Sequence, residues 1–135
     1  MKLLPESPVE FLAPLSRPPE RAYAAEIETP FTPLTLAGDG EALFFISREG
    51  PLRGFMERLR REWDSEVIAD AGPFREIIGQ LEAYFAGDRT PIRATVRPLR
   101  TSRFIQDIHR LMARIPFGET AAYGELARLA GYPGA

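Results

Sequence analysis

The chain holds one imidazole, His109, and no thiol at all. These two facts remove most of the familiar chemistry: without cysteine there are no disulfides, thiolate metal sites or thiol nucleophiles, and a lone histidine leaves little room for zinc sets or catalytic triads. Five carboxylates, Glu26, Glu28, Asp64, Glu66 and Asp70, are the right kind of group for a two-metal nuclease centre. Nothing in their spacing forces them together, so solvated strand or loop carboxylates are the default reading. Gly38-Asp39-Gly40 resembles a phosphate loop in composition only, since no Lys-Ser or Lys-Thr follows it, and a tight turn is the simpler reading.

Charge gives a broader hint. Residues 1–88 carry 9 basic and 16 acidic side chains, a balance of −7, whereas residues 89–135 carry 8 and 3, a balance of +5. A basic back half is the footprint expected of phosphate contact, and Arg97, Arg100, Arg103, Arg110 and Arg114 are its candidates. An ordinary solvated face gives the same signature. All eight basic residues there are arginine, which suits bidentate phosphate binding, but the whole chain has a single lysine, so a general compositional bias explains the choice equally well.

The elements that must position these residues follow from periodicity and punctuation. With 135 residues, 44% of them hydrophobic, the chain can build one domain or two small ones. It has no apolar run long enough to span a bilayer, and Pro5 and Glu6 interrupt its start before a signal-peptide core can form, so a cytoplasmic protein without membrane association is expected. Residues 1–22 contain five prolines and no sustained period, and should be extended and irregular along the domain surface. Residues 24–29, 34–37 and 43–46 read as strands, the last two joined by the Gly38–Gly40 turn. Phe55, Leu59 and Trp63 mark one helix, and Phe74, Ile77, Ile78, Leu81, Tyr84 and Phe85 a second that ends at Ala86-Gly87-Asp88. An extended segment over 92–96 completes a small α+β unit. Beyond it the pattern is helical only. Thr101 or Ser102 caps a helix whose stripe is Phe104, Ile105, Ile108, Leu111, Met112 and Ile115; Pro116-Phe117-Gly118 breaks it; and Thr120 is placed to cap a short helix over 121–130 that ends at Gly131.

Ala127 and Gly131 have the spacing with which two helices of a helix-turn-helix cross closely, a weak signal alone because many αα-corners share it. The longer run IPFGETAAYGELARLAGYPGA, preceded by FIQDIHRLMAR, is far more specific. It resembles the methylated-DNA-[protein]-cysteine methyltransferases, or alkylguanine-DNA alkyltransferases. IETPFTPLTLAGDGEALFFI is similar to that family's opening hairpin, and IIGQLEAYFAGDRT to the helix closing its N-terminal domain. The resemblance covers Tyr23 to Ala135, everything but the proline-rich start.

The resemblance implies an α+β fold: a proline-rich extension over 1–22, a ribonuclease-H-like antiparallel sheet with helices over 23–98, and over 99–135 the first helices of a helix-turn-helix, winged-helix-like domain. It implies a repair reaction in which an alkylated guanine is rotated out of duplex DNA and a cysteine thiolate takes the alkyl group irreversibly, with no cofactor and no metal. Tyr123 matches the tyrosine that crowds the phosphate of the rotated nucleotide, and Arg103, Thr120, Gly134 and Ala135 join it as implied DNA contacts. Two departures stand out: His109 replaces the usual tryptophan, which reads as a packing variation, and Thr32-Pro33 replaces a glycine of the first hairpin, which puts that turn's geometry in question. The recognition helix, the Pro-Cys-His-Arg segment and the orienting glutamate have no counterpart among these residues. No catalytic residue is therefore assigned, and the chain is expected to be the front portion of an alkyltransferase, inactive alone and binding DNA weakly or not at all. Two alternatives remain: a non-enzymatic DNA-binding or regulatory module using the basic half, or a structural half. The second would associate with a separate C-terminal piece or with itself through exposed helical stripes, unless the proline-rich start covers them.

Overall fold

In the computed structural model, which describes residues 2–99 and 102–134, a six-stranded sheet carries a helix on each face and is followed by a pair of helices. The elements are β1 (Val9–Phe11), β2 (Arg21–Ile27), β3 (Leu34–Gly38), β4 (Leu43–Ser47), α1 (Leu52–Trp63), β5 (Glu66–Ala69), a 3₁₀ turn (Gly72–Phe74), α2 (Arg75–Phe85), β6 (Ala94–Val96), α3 (Arg103–Met112) and α4 (Tyr123–Leu129). The sheet order is β1-β6-β4-β3-β2-β5. Its middle is the antiparallel meander β2–β3–β4 expected from the turn residues, and its flanks are parallel pairs, β2 with β5, β4 with β6 and β6 with β1, so the sheet as a whole is mixed.

Alternation along β2 divides the core in two. Ala22 and Ala24 face α1 with Ala37, Phe55, Met56 and Leu59, while Ala25 and Ile27 face α2 with Leu36, Ile77 and Leu81. An irregularity opposite Ala37 and Gly38 lets consecutive Phe44 and Phe45 both reach the α1 side, where each meets Trp63 edge-on. Gly38 is required there, since a Cβ would lie 2.4 Å from the Ala42 carbonyl oxygen. The Gly38–Gly40 segment is a turn, as expected: Asp39 Oδ1 accepts the Glu41 and Ala42 amides, and Gly40 has φ +94°. The Thr32-Pro33 departure is absorbed by Thr29, whose hydroxyl accepts the Phe31 and Thr32 amides and donates to the Thr32 carbonyl at 2.6 Å.

The proline-rich start is extended, but it is not wholly irregular. Val9–Phe11 pairs in parallel with Ala94–Val96 and becomes an edge of the sheet, a position that tolerates nearby prolines because only one side of the strand must bond. β5 is a second strand that periodicity missed. It is four residues long with Val67 alone buried, too short for alternation to register.

Candidate nucleic-acid interface

α3 starts on a side-chain cap: Ser102 Oγ accepts the Ile105 amide at 3.2 Å, while Thr101, the other cap considered, lies outside the described residues. The helix ends at Met112, earlier than the apolar stripe suggested, and Ile115 packs beneath the pair from the following turn. α4 is also shorter than expected. Its N-cap is Ala122, in extended conformation and without a side-chain hydrogen bond, so Thr120 caps nothing. The reason is position: Thr120 sits two residues before the cap, exposed, where its hydroxyl cannot serve the first-turn amides. Gly131, at φ +92°, ends the element as foreseen.

The two helices cross over a small core of Ile108, Leu126 and Ala127, ringed by Phe104, Leu111, Ile115 and Tyr132. Ala127, 2% exposed, is the small residue that close approach demands. The turn after α4 is tied back to α3 twice: the Tyr132 ring stands edge-on to Phe104 at 4.8 Å, and its hydroxyl donates to Asp107 Oδ2 at 3.0 Å. That bond to the neutral phenol raises the Tyr132 pKa, with desolvation and the Asp107 charge adding to the effect. No spacing in the sequence signalled this pair, because a carboxylate on one helix and a phenol beyond the next meet only once the crossing is made.

Tyr123, 68% exposed, opens α4, and its side chain makes no hydrogen bond among the described residues. Arg103 is the first residue of α3, exposed and 3.6 Å from Asp107; Gly134 is exposed in the turn beyond α4; Ala135 lies outside the described residues. The implied contacts do not form one cluster. Arg103 and the turn leading to Gly134 share the Asp107 end of the pair, whereas Thr120 and Tyr123 lie at the opposite end of α4, about 9 Å along the helix axis at 1.5 Å per residue.

The basic half is less available to phosphate than its composition implied. Arg97 donates to Asp39 at 2.9 Å and to Glu41 at 3.1 Å, holding the hairpin turn to the end of β6. Arg110 lies 3.7 Å from Asp107 and over the Phe11 ring, and Arg114 donates to the Leu4 carbonyl oxygen. Arg89 lies over the edge-on pair Tyr84 and Phe117, 4.9 and 4.6 Å from the ring centroids. Arg100 lies outside the described residues.

Three of the five carboxylates, Glu26, Glu66 and Asp70, make contacts within the fold. Glu26 Oε2 accepts the Leu52 amide at the start of α1, Asp64 ends α1 in left-handed conformation (φ 52°), Glu66 pairs with Arg21, Asp70 accepts the Gly72 amide, and Glu28 is exposed. No group of three metal-ligating side chains occurs among the described residues. His109 is exposed on α3. No helix is long and apolar enough to cross a membrane among the described residues.

Residues 22–98 match the family model described as the ribonuclease-like domain of 6-O-methylguanine DNA methyltransferase. The methylated-DNA–protein-cysteine methyltransferase of Mycobacterium tuberculosis is 38% identical over 109 residues, 81% of this chain and 61% of that protein. The Methanosarcina acetivorans protein of the same name is 35% identical over 82% of this chain and 67% of its own. Among solved structures, the Mycobacterium tuberculosis O6-methylguanine methyltransferase superposes with a TM-score of 0.69 at 36% identity, covering 84% of this chain and 64% of that one. A structure of the Mycobacterium tuberculosis protein in complex with DNA gives 0.67 at 35% identity, covering 84% and 63%. The chain thus spans about three fifths of the length of the mycobacterial relatives it matches.

Proposed function

Because the chain belongs to the methylated-DNA–protein-cysteine methyltransferase family, we propose that it supplies the sheet domain and the first DNA-contacting helices of an alkylguanine repair reaction. In this reading the chain is the front portion of an alkyltransferase, divided at about residues 22 and 98 into extension, sheet domain and helical part. The observation that carries it is Tyr123: a large aromatic side chain, exposed and without a hydrogen-bond partner, on the first turn of a helix whose other face is locked by Leu126 and Ala127. A tyrosine so placed gains nothing for the fold and suits contact with a nucleic-acid backbone. Arg103, Thr120, Gly134 and Ala135 are the accompanying contacts, and duplex DNA containing an alkylated guanine is the partner.

Alkyl transfer to sulfur needs a thiolate, and these residues contain no cysteine. Their share of the reaction is therefore binding and placement, and the chain by itself is inactive. Incubation with DNA carrying labelled O6-methylguanine is expected to leave the protein unlabelled; stoichiometric transfer overturns this reading. Duplex binding by the chain is expected to be weak, salt-dependent and reduced by Tyr123→Ala with no change in melting temperature. Binding that is indifferent to residue 123 removes the tyrosine from the interface.

A further inference from the structure

We infer that residues 2–15 are a clasp that fixes the orientation of the α3–α4 pair against the sheet. They lie outside the family-matched domain, which begins at residue 22, and no role in the alkyltransferase reading falls to them. The inference concerns only what holds the two parts together and stands whether or not that reading does.

Each end of the segment is attached to a different part of the molecule. At the sheet, β1 takes up parallel register with β6, and pairing continues past it: the Leu12 amide donates to the Val96 carbonyl at 2.8 Å and the Leu15 amide to the Pro98 carbonyl at 3.0 Å. Leu15 itself packs against the α1-side core. At the helices, Leu4 and Arg114 bond reciprocally. The Leu4 amide donates to the Arg114 carbonyl at 2.7 Å, and Arg114 Nε donates to the Leu4 carbonyl at 2.8 Å. Between these anchors the Arg110 guanidinium sits 5.6 Å from the Phe11 ring centroid, so two arginines four residues apart both face the segment.

The physical consequence concerns freedom of orientation. Among the described residues, the other attachments between the sheet and the helix pair include the short chain leading from β6 to α3 and the contact of Phe117 with Tyr84 and Arg89. Phe117 remains 62% exposed, so that contact is a surface one. Parts joined by one linker and a small interface reorient by default. A second attachment removes that freedom and sets the angle at which Tyr123 is offered to a partner. It also gives the Arg114 carbonyl, beyond the end of α3, the donor it would otherwise lack.

The absence of native cysteine makes a direct test simple. Spin labels on Arg61→Cys and Arg128→Cys, both exposed, report the distance between α1 and α4 in the full chain. The intact clasp is expected to give one narrow distance. Leu4→Pro, which deletes the amide donor, combined with Arg114→Ala, which deletes the guanidinium, is expected to broaden that distribution while the far-UV spectrum stays unchanged. A distribution equally narrow in the doubly substituted chain overturns the inference. Should that variant fail to fold, hydrogen exchange on the unaltered chain decides. The Leu4, Leu12 and Leu15 amides are expected to be protected at least about tenfold relative to an unstructured peptide, and exchange at the unstructured rate overturns it.

Discussion

The sheet and the helix pair are built to different standards of closure. The sheet has a core on each face, and four of the five largest fully buried side chains, Phe55, Leu36, Leu59 and Thr35, belong to it; Ile108 is the helix pair's one member. Exposed large apolar residues are distributed the other way. Ile105, Met112, Phe117, Tyr123 and Leu129 lie in the helical part, against Phe31 and Ile46 in the sheet. The sheet buries what it needs with its own residues, whereas the helices close only their mutual seam. Leu4 bonds to Arg114 and the Phe11 ring lies beneath Arg110, so the proline-rich start covers part of the helical surface but leaves Ile105, Met112 and Leu129 open.

The sharpest way to break this comparison is to hollow each core in turn. Phe55→Ala should cost about 3–5 kcal/mol and lower the cooperative unfolding transition seen by urea titration. Ile108→Ala should cost about 2–3 kcal/mol, in the lower part of the usual range because a small seam can collapse, and the loss should appear as faster amide exchange in α3 and α4 alone. Equal effects of the two substitutions on sheet amides would mean the parts unfold as one.

A smaller effect separates a real cap from an apparent one. Ser102→Ala should cost about 1 kcal/mol of α3 stability, read from exchange of its first-turn amides. Thr120→Ala should stay within about 0.5 kcal/mol, because no hydrogen bond from Thr120 supports α4. The smallest effect is a pH dependence at the turn after α4. The raised Tyr132 pKa means its bond to Asp107 contributes fully below the ordinary tyrosine value of about 10 and is lost as pH rises through the folded-state value. Exchange protection of the Tyr132 amide, bonded to the Ala127 carbonyl, should fall across that alkaline window in the native chain and stay flat in Tyr132→Phe.

What the sequence made legible was whatever repeats or is punctuated locally. The meander showed through Gly38-Asp39-Gly40, α1 and α2 through their apolar spacing, and α3 through Ser102 and a stripe centred on Ile108. β1 and β5 were invisible because a strand of three or four residues holds at most two turns of the alternation, and β1 lies among prolines that argue for irregular chain. At the candidate site, the helix after the break that carries Tyr123 was legible, and the exposure of that residue is what the structure adds. The arginines were legible only as charge. Arg97 lies 58 positions from Asp39 and Arg114 110 positions from Leu4, and no local rule reaches across such separations.

Strand order also carries a consequence for timing. β2, β3 and β4 are neighbours in both sequence and sheet, so their hairpins can close over short loops. Val9 pairs with Ala94, about 85 positions later, and Leu4 waits longer still for Arg114. During folding, residues 4–11 therefore have nowhere to sit until residues 94–114 are present. This segment is the last to take its place, and until it does the outer side of β6 and the end of α3 stand bare.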